Sequence, residues 1–352
     1  MKVLFLADFV PYPETSGSKL RAAGLLRSLK DHEVHLVVLK ERSESVDNEH
    51  LPRLCSHLYV LDRPEFSPLR RCINHFSFKP LLSKKRFHSS IHDVLSNIIR
   101  EHRIEVIIAE TLLLAEYARG RSEVFSILDE HNLEFVRAGR RNEVARGFLL
   151  KLKTWLIFKR LERYELEAIK DFDTVFVCSQ TDRDVITRRL PGQVVQVVPN
   201  SVDTDYFAFH EDRPISHKIV YIGTMWYEPN RDAALYFADQ ALALLRAERP
   251  ELEFLIVGDQ PPQARSIFSR KEGIVLTGFV EDVRPFLHEA ALSVVPLRMG
   301  SGTRLKILAS MAAGTPVVST SVGCEGLSVT DGKNICIADS PAQFKTQILR
   351  LL

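Results

Sequence analysis

Short runs of β-branched and aliphatic residues recur along the chain, separated by longer segments whose apolar positions return with helical spacing. Alternation of this kind marks parallel sheets wound with crossover helices, so the pattern predicts an α/β protein. In the first half, strands are predicted at Val3 to Ala7, Glu33 to Leu39, Leu58 to Leu61, Val106 to Ala109, Phe125 to Leu128, Thr174 to Cys178 and Val194 to Val198. Helical periodicity fills the gaps at Ser18 to Leu29, Ser83 to Arg100 and one long segment, Leu133 to Lys170. A second series begins after Pro214, with strands at Lys218 to Ile222, Leu252 to Val257, Ile274 to Leu276, Leu292 to Val295, Pro316 to Ser319 and Asn334 to Ile337. Between the two series, Pro199 to Pro214 has turn residues and broken periodicity, the character of a linker. The pattern therefore predicts two Rossmann-like, doubly wound domains, 1–210 and 211–352, facing a central cleft. Ligands of open α/β sheets bind at the C-terminal strand ends, which such an arrangement turns toward that cleft.

Composition narrows the class. At 352 residues the chain exceeds one ordinary core, and 45% hydrophobic with 26% charged residues reads as globular. A net charge of +2 is too mild for nucleic acid to be the main partner. The five cysteines, Cys55, Cys72, Cys178, Cys324 and Cys336, are scattered and odd in number, which points to a reducing cytoplasm. The opening MKVLFLADFV is interrupted by Asp8 and reads as a buried strand, not a signal peptide. No run approaches the roughly 18 apolar residues of a membrane span. The twelve histidines show no HExxH or comparable spacing, so no metal site is expected.

The candidate chemistry lies at strand ends. PLRMGSGTRLK carries a glycine-rich turn into a helix, with Arg304 and Lys306 beside Gly300 and Gly302. Freed backbone N–H groups, a helix N-terminus and two cations make an anion cradle suited to a diphosphate. Arginine forks onto two phosphate oxygens, lysine supplies a compact charge, and Gly302 removes a side chain that would block the approach. Gly17 and Ser18 open a helix just after the first strand: either a loop built for close approach to a ligand, or an ordinary turn with Ser18 as N-cap. Gly223 and Thr224, and Gly278, Phe279 and Val280, follow strands in the second half, where backbone atoms commonly hold nucleotides. In LDEHNLEF, His131 is placed to bond a sugar hydroxyl or manage a proton, with Asp129 and Glu130 either partners or solvated turn residues.

The segment Leu133 to Lys170 interleaves basic residues with Phe148, Trp155, Ile157 and Phe158. Two readings stay open: a face for an anionic membrane surface, or a helix with apolar side chains inward and basic ones outward. Basic residues at Arg70, Arg71, Lys84, Lys85 and Arg86 favour the first.

The segments PYPETSGSKLR, DEHN, VPNSVDTDYF, YIGTMWYEPNRDAALYF, TGFVEDVRPFL, VVPLRMGSGTRLKIL and MAAGTPVVSTSVGCEGL, in this order, resemble family 4 glycosyltransferases, especially sugar transferases of bacterial exopolysaccharide systems. That resemblance implies the GT-B fold, a nucleotide-sugar donor in the C-terminal domain and a glycan or lipid-linked acceptor on the N-terminal domain. It implies retention of anomeric configuration, no metal and no cofactor beyond the donor. It places Gly17 in the loop facing donor and acceptor, His131 against the donor sugar, Arg304 and Lys306 on the leaving diphosphate, and the Val280 backbone on the base. The donor-binding candidates are then Gly17, Ser18, Gly223, Thr224, Phe279, Val280, Ser301, Gly302, Thr303 and Leu305, with His131, Arg304 and Lys306 as catalytic candidates. A cytoplasmic enzyme, seated peripherally at the inner face of the membrane through its basic residues, is the corresponding expectation.

Two departures qualify the resemblance. Family members commonly carry two glutamates seven residues apart, at the positions of Ser301 and Ala309 here; the second accepts hydrogen bonds from the donor ribose. The chain also ends at QILRLL, where the family usually continues into helices that cross back to the first domain. These departures carry an alternative expectation, a weak or inactive relative that binds a nucleotide or a partner without turnover.

Overall fold

The computed structural model describes residues 1–12, 16–42, 44–47, 49–63, 88–145, 147–211, 216–300 and 302–352. Ser301, Cys72, the basic residues Arg70, Arg71, Lys84, Lys85 and Arg86, and the start of the helix expected from Ser83 lie outside them. The chain forms two compact units, Met1–Asn200 and Ser201–Leu352. This division falls earlier than the linker composition predicts, because Val202 and Phe207 pack with Val220, Leu255 and Leu287 of the second unit.

The first unit holds strands β1 (Lys2–Ala7), β2 (Glu33–Lys40), β3 (His57–Asp62), β4 (Val106–Glu110), β5 (Phe125–Glu130), β6 (Thr174–Val177) and β7 (Val195–Val197). They form one sheet in the order β3-β2-β1-β4-β5-β6-β7, all pairs parallel. Its central strands are apolar on both faces: Val3, Leu4, Phe5, Leu6 and Ala7 of β1 are all buried. Such runs are what a parallel sheet covered by helices on both sides requires. Leu4, Leu6, Ile107 and Leu128 join one core layer, and Val3, Phe5, Leu36 and Ile127 the other.

The second unit repeats the winding with β8 (Lys218–Ile222), β9 (Glu253–Val257), β10 (Ile274–Gly278), β11 (Leu292–Val295), β12 (Val317–Ser319) and β13 (Cys336–Ile337). Their order, β10-β9-β8-β11-β12-β13, is again parallel and again reverses direction beside the first strand. Phe237 anchors this core, its ring centroid 4.7 Å from Phe254 and 5.7 Å from Phe344 of the helix Pro341–Leu351.

The long helix expected over Leu133 to Lys170 is instead a hairpin of two helices, Glu134–Val144 and Phe148–Lys170. Gly147 between them adopts φ 86°, a left-handed turn that glycine enters without strain. Thr154 Oγ1 donates to Asn142 Oδ1 at 2.8 Å, and the absence of a side chain at Gly139 leaves room for the Phe158 ring. At the hairpin tip Phe148 and Leu149 are 80% and 81% exposed. Among the described residues no helix is long and apolar enough to cross a membrane.

Phe237→Ala removes a fully buried ring and is expected to destabilise the C-terminal unit by about 3–5 kcal/mol. The measurement is urea unfolding followed by Trp226 fluorescence in a Trp155→Phe background; an unmoved midpoint would contradict this account of the core.

Candidate active site

Sheet direction reverses between β1 and β4 in the first unit and between β8 and β11 in the second. Crevices at such points, outside the C-terminal strand ends, are where open α/β sheets bind ligands. Both contain polar groups.

In the first unit, the helix Gly17–Ser28 follows β1 and buries Arg21 at 5% exposure. Arg21 Nε donates to Asp129 Oδ2 at 2.8 Å, and its Nη2 donates to Asp129 Oδ1, a bidentate pair. Its Nη1 donates to Val198 O and Asn200 Oδ1, both at 2.9 Å. His131 Nε2 lies 2.5 Å from Glu110 Oε2 and 3.2 Å from Asp129 Oδ2. Glu110 ends β4, and Thr111 after it holds φ 73°, costly for a β-branched residue, while donating its N–H to Asp129 O at 2.9 Å. The Cys178 thiol packs 3.5 Å from His131 O.

Charge in this cluster is set by burial and by the pairs. Burial alone would raise Asp129, but the Arg21 guanidinium and His131 hold its carboxyl at about 2. Burial pushes Glu110 up to about 7 against the pull of His131. Burial would lower His131, yet the Glu110 and Asp129 carboxylates hold it at about 10. His131 is therefore an imidazolium at neutral pH, not an adjustable group near its ordinary range. Asp129 and Glu130 are buried, at 0% and 2%, so the solvated-turn reading of these residues does not hold. The N-terminus of the helix Glu134–Val144 is capped from elsewhere: Glu165 accepts the N–H groups of Glu134 and Phe135 at 2.8 and 2.7 Å.

In the second unit, β8 and β9 deliver their backbones into close contact. A Cβ at Gly258 would lie 2.7 Å from Gly223 O, and one at Gly223 would lie 2.7 Å from Asn230 Nδ2 and 2.9 Å from Lys306 Nζ. Only glycine fits at either position. Asn230 Oδ1 accepts from Tyr221 Oη at 2.9 Å and from Lys306 Nζ at 3.0 Å, while its Nδ2 donates to Thr224 O at 3.0 Å. Lys306 Nζ also stands 4.2 Å above the Tyr221 ring centroid. Burial and the neighbouring Arg304 lower Lys306 to about 7.

Arg304 caps the helix Leu305–Ala312, and its Nη1 donates to Gly302 O. Gly302 holds φ 72°, and a Cβ at Gly300 would fall 2.7 Å from Arg304 Nη2. The turn thus depends on its glycines to fold back on the guanidinium.

Gly223 and Thr224 therefore follow β8, and Gly302, Thr303 and Arg304 lie in the loop after β11 that leads into the helix whose first two residues are Leu305 and Lys306; β8 and β11 flank the reversal. Phe279 and Val280 follow β10, beyond β9. Phe279 is 63% exposed, and Val280 packs against the cluster around Phe207. Leu305 is buried and serves packing. Ser301 lies outside the described residues. Gly17 is the first residue of its helix, and Ser16, not Ser18, is the N-cap, accepting from Lys19 N at 3.4 Å. Ala309 is buried in the apolar cluster that includes Phe207, Val220, Leu287 and Ala313.

Sequence reasoning missed Arg21, Glu110 and Asn200 in the first unit and Tyr221 and Asn230 in the second. Each lies within or beside a strand-end segment, but its role depends on partners far along the chain.

Sucrose-phosphate synthase from Thermosynechococcus elongatus superposes with a TM-score of 0.72 at 16% identity, covering 100% of this chain and 90% of that one. HepE from Anabaena, in complex with UDP and glucose, gives 0.64 at 14% identity over 99% and 90%. Two doubly wound domains of this kind are the GT-B fold. A family model described as Glycosyltransferase Family 4 matches residues 20–206, and one described as Glycosyl transferases group 1 matches 216–352. The chain belongs to Glycosyltransferase Family 4. An uncharacterized 44.6 kDa protein in the cps region of Klebsiella pneumoniae is 23% identical over 99% of this chain and 90% of its own length.

Because its folded pKa is raised, the His131 imidazolium contributes stability that is fully present below about pH 6.5 and is lost as pH rises through about 10. His131→Gln is expected to abolish that alkaline decline of the N-terminal unit. Urea midpoints at neutral and alkaline pH, compared with wild type, check this; parallel curves would contradict it.

Proposed function

We propose that this enzyme is a retaining glycosyltransferase that moves a sugar from a nucleoside diphosphate to a glycan or lipid-linked glycan acceptor in cell-surface polysaccharide synthesis. The observation that carries the proposal is the meeting of Arg304, Lys306, Gly223, Gly300 and Gly302 at one strand reversal. Polysaccharide chemistry is supported by the cps-region relative, and a uridine diphosphate donor by the ligands of HepE.

Breaking the anomeric C–O bond places negative charge on the departing diphosphate and positive character on the sugar. Cations fixed before reaction lower that barrier because they need not reorganise. Arg304 and Lys306 fill this role from the C-terminal domain, whose loops after β8 and β10 take the nucleoside. The N-terminal domain takes the acceptor. His131, held as a cation, donates to a hydroxyl of the transferred sugar. Arg21, Asp129 and Glu110 position it. Asp129 is occupied by the Arg21 guanidinium on both oxygens, so it is not the group that attacks the sugar.

Binding of UDP, GDP and the parent nucleosides, followed by turnover of the corresponding sugar donors, tests the assignment. Arg304→Ala is expected to weaken diphosphate binding about tenfold to a hundredfold while leaving nucleoside binding unchanged. Equal losses would move the arginine off the phosphates, and no nucleotide binding at millimolar concentration would end the transferase reading of this site. Binding without turnover would favour the inactive relative that Ala309 suggests.

Peripheral attachment to an anionic membrane belongs to the same proposal. Its support is the hairpin tip, where exposed Phe148, Leu149 and Trp155 stand among exposed Lys151 and Lys153. Such a tip offers apolar anchors and charge to one surface. Sedimentation with phosphatidylglycerol-containing vesicles is expected, with release by Phe148→Ser/Leu149→Ser; sedimentation unchanged by that pair would remove the tip from the contact.

A further inference from the structure

A histidine cluster lies at the opposite end of the N-terminal sheet from Asp129 and His131. Glu33 and His35 are alternate residues of β2 and so share one face. In the parallel register His35 pairs with His57 and Val37 with Tyr59, which brings His57 and Tyr59 onto that same face from β3. The His35 and His57 rings stack with centroids 4.4 Å apart, and His102, the last residue of the helix Ser89–His102, closes over them at 4.5 Å from His35. Three imidazoles, a phenol and a carboxylate thus converge where a sheet of this kind ordinarily places aliphatic side chains.

The donor atoms are arranged for a cation. Glu33 Oε1 lies 3.1 Å from His35 Nε2 and 3.8 Å from His57 Nε2, and one ligand atom from each of the three residues lies within 4.8 Å of the others. Tetrahedral zinc with nitrogen and oxygen ligands at about 2.0–2.1 Å holds them about 3.4 Å apart. The remaining groups support this set. Glu33 Oε2 is taken by Lys2 Nζ at 3.5 Å, so Oε1 is the oxygen turned to the imidazoles. His35 Nδ1 is 3.5 Å from Tyr59 Oη, which is itself 3.1 Å from His102 Nε2. A metal-ligating histidine ordinarily has such a partner on its second nitrogen, fixing tautomer and ring orientation. His35 is fully buried, whereas the side chains of His57 and Glu33 are 46% and 37% exposed, leaving an entry path and a face for a water ligand.

We propose that Glu33, His35 and His57 form a binding site for a divalent transition metal, zinc by its donor set, that ties β2 to β3. The other carboxylate and histidine trio, Glu110, Asp129 and His131, is built differently. There Arg21 already occupies both Asp129 oxygens, and His131 and Glu110 approach to 2.5 Å, closer than two ligands of one ion. The proposed metal is therefore structural, remote from the transfer chemistry. The spacing of the three residues along the chain conceals the site, because the register of β2 against β3 assembles it.

The test uses full-length protein free of any histidine tag and stripped with EDTA. Titration with cobalt(II), read by the visible absorption of low-symmetry cobalt, and with zinc by calorimetry is expected to give one equivalent bound at about micromolar affinity or tighter. His57→Ala, at a half-exposed position, and Glu33→Gln are each expected to weaken binding at least about a hundredfold, and Tyr59→Phe about tenfold. His131→Gln is expected to leave it unchanged. Saturating zinc is expected to raise the melting temperature of wild type but not of His57→Ala. The proposal is overturned if wild type binds neither metal at submillimolar concentration, or if binding survives both His57→Ala and Glu33→Gln, or if it is lost only with His131→Gln.

Discussion

The buried pair of Arg21 and Asp129 is the interaction on which the first domain's strand ends depend. It joins the helix after β1 to the end of β5, and through Val198 and Asn200 it reaches the last residues of the unit. A buried ion pair gains little over apolar packing, but loss of one partner leaves an uncompensated charge in the interior. Here the pair has a further effect. By holding Asp129 ionised it keeps a negative charge beside His131, and with Glu110 it maintains the imidazolium despite burial. Fold closure and site electrostatics are thus one arrangement.

The second domain reaches a comparable end with different materials. Its winding is the same, yet its strand ends meet through glycines, and its two cations are held by neutral oxygens: Arg304 by Gly302 O, and Lys306 by Tyr221 Oη and Asn230 Oδ1.

Much of the architecture was legible because parallel sheets advertise themselves. Strands buried on both faces are continuous apolar runs, and the thirteen strands among the described residues fall on the runs read as strands. The glycine turn before Arg304 was legible for a similar reason, since backbone geometry there restricts residue type. The hairpin was not: helical periodicity continues in the sequence past Ala145, whereas the backbone leaves the helix at Ala145, which is extended, and takes φ 86° at Gly147. The ionic cluster was half visible. DEHN marks Asp129 and His131, but nothing local tells Arg21 or Glu110 that they will meet them. His131 looked like a group titrating near neutrality because its partners, not its type, decide its charge. The domain boundary moved because Phe207, in a segment of linker composition, is buried by its neighbours in space.

Lys306 gives the proposed phosphate cradle a property that its sequence conceals. Burial and the neighbouring Arg304 lower its ammonium to about 7. Under the proposed function, a bound diphosphate would hold Lys306 protonated before the sugar is transferred, so the anion would help complete the charge that receives it.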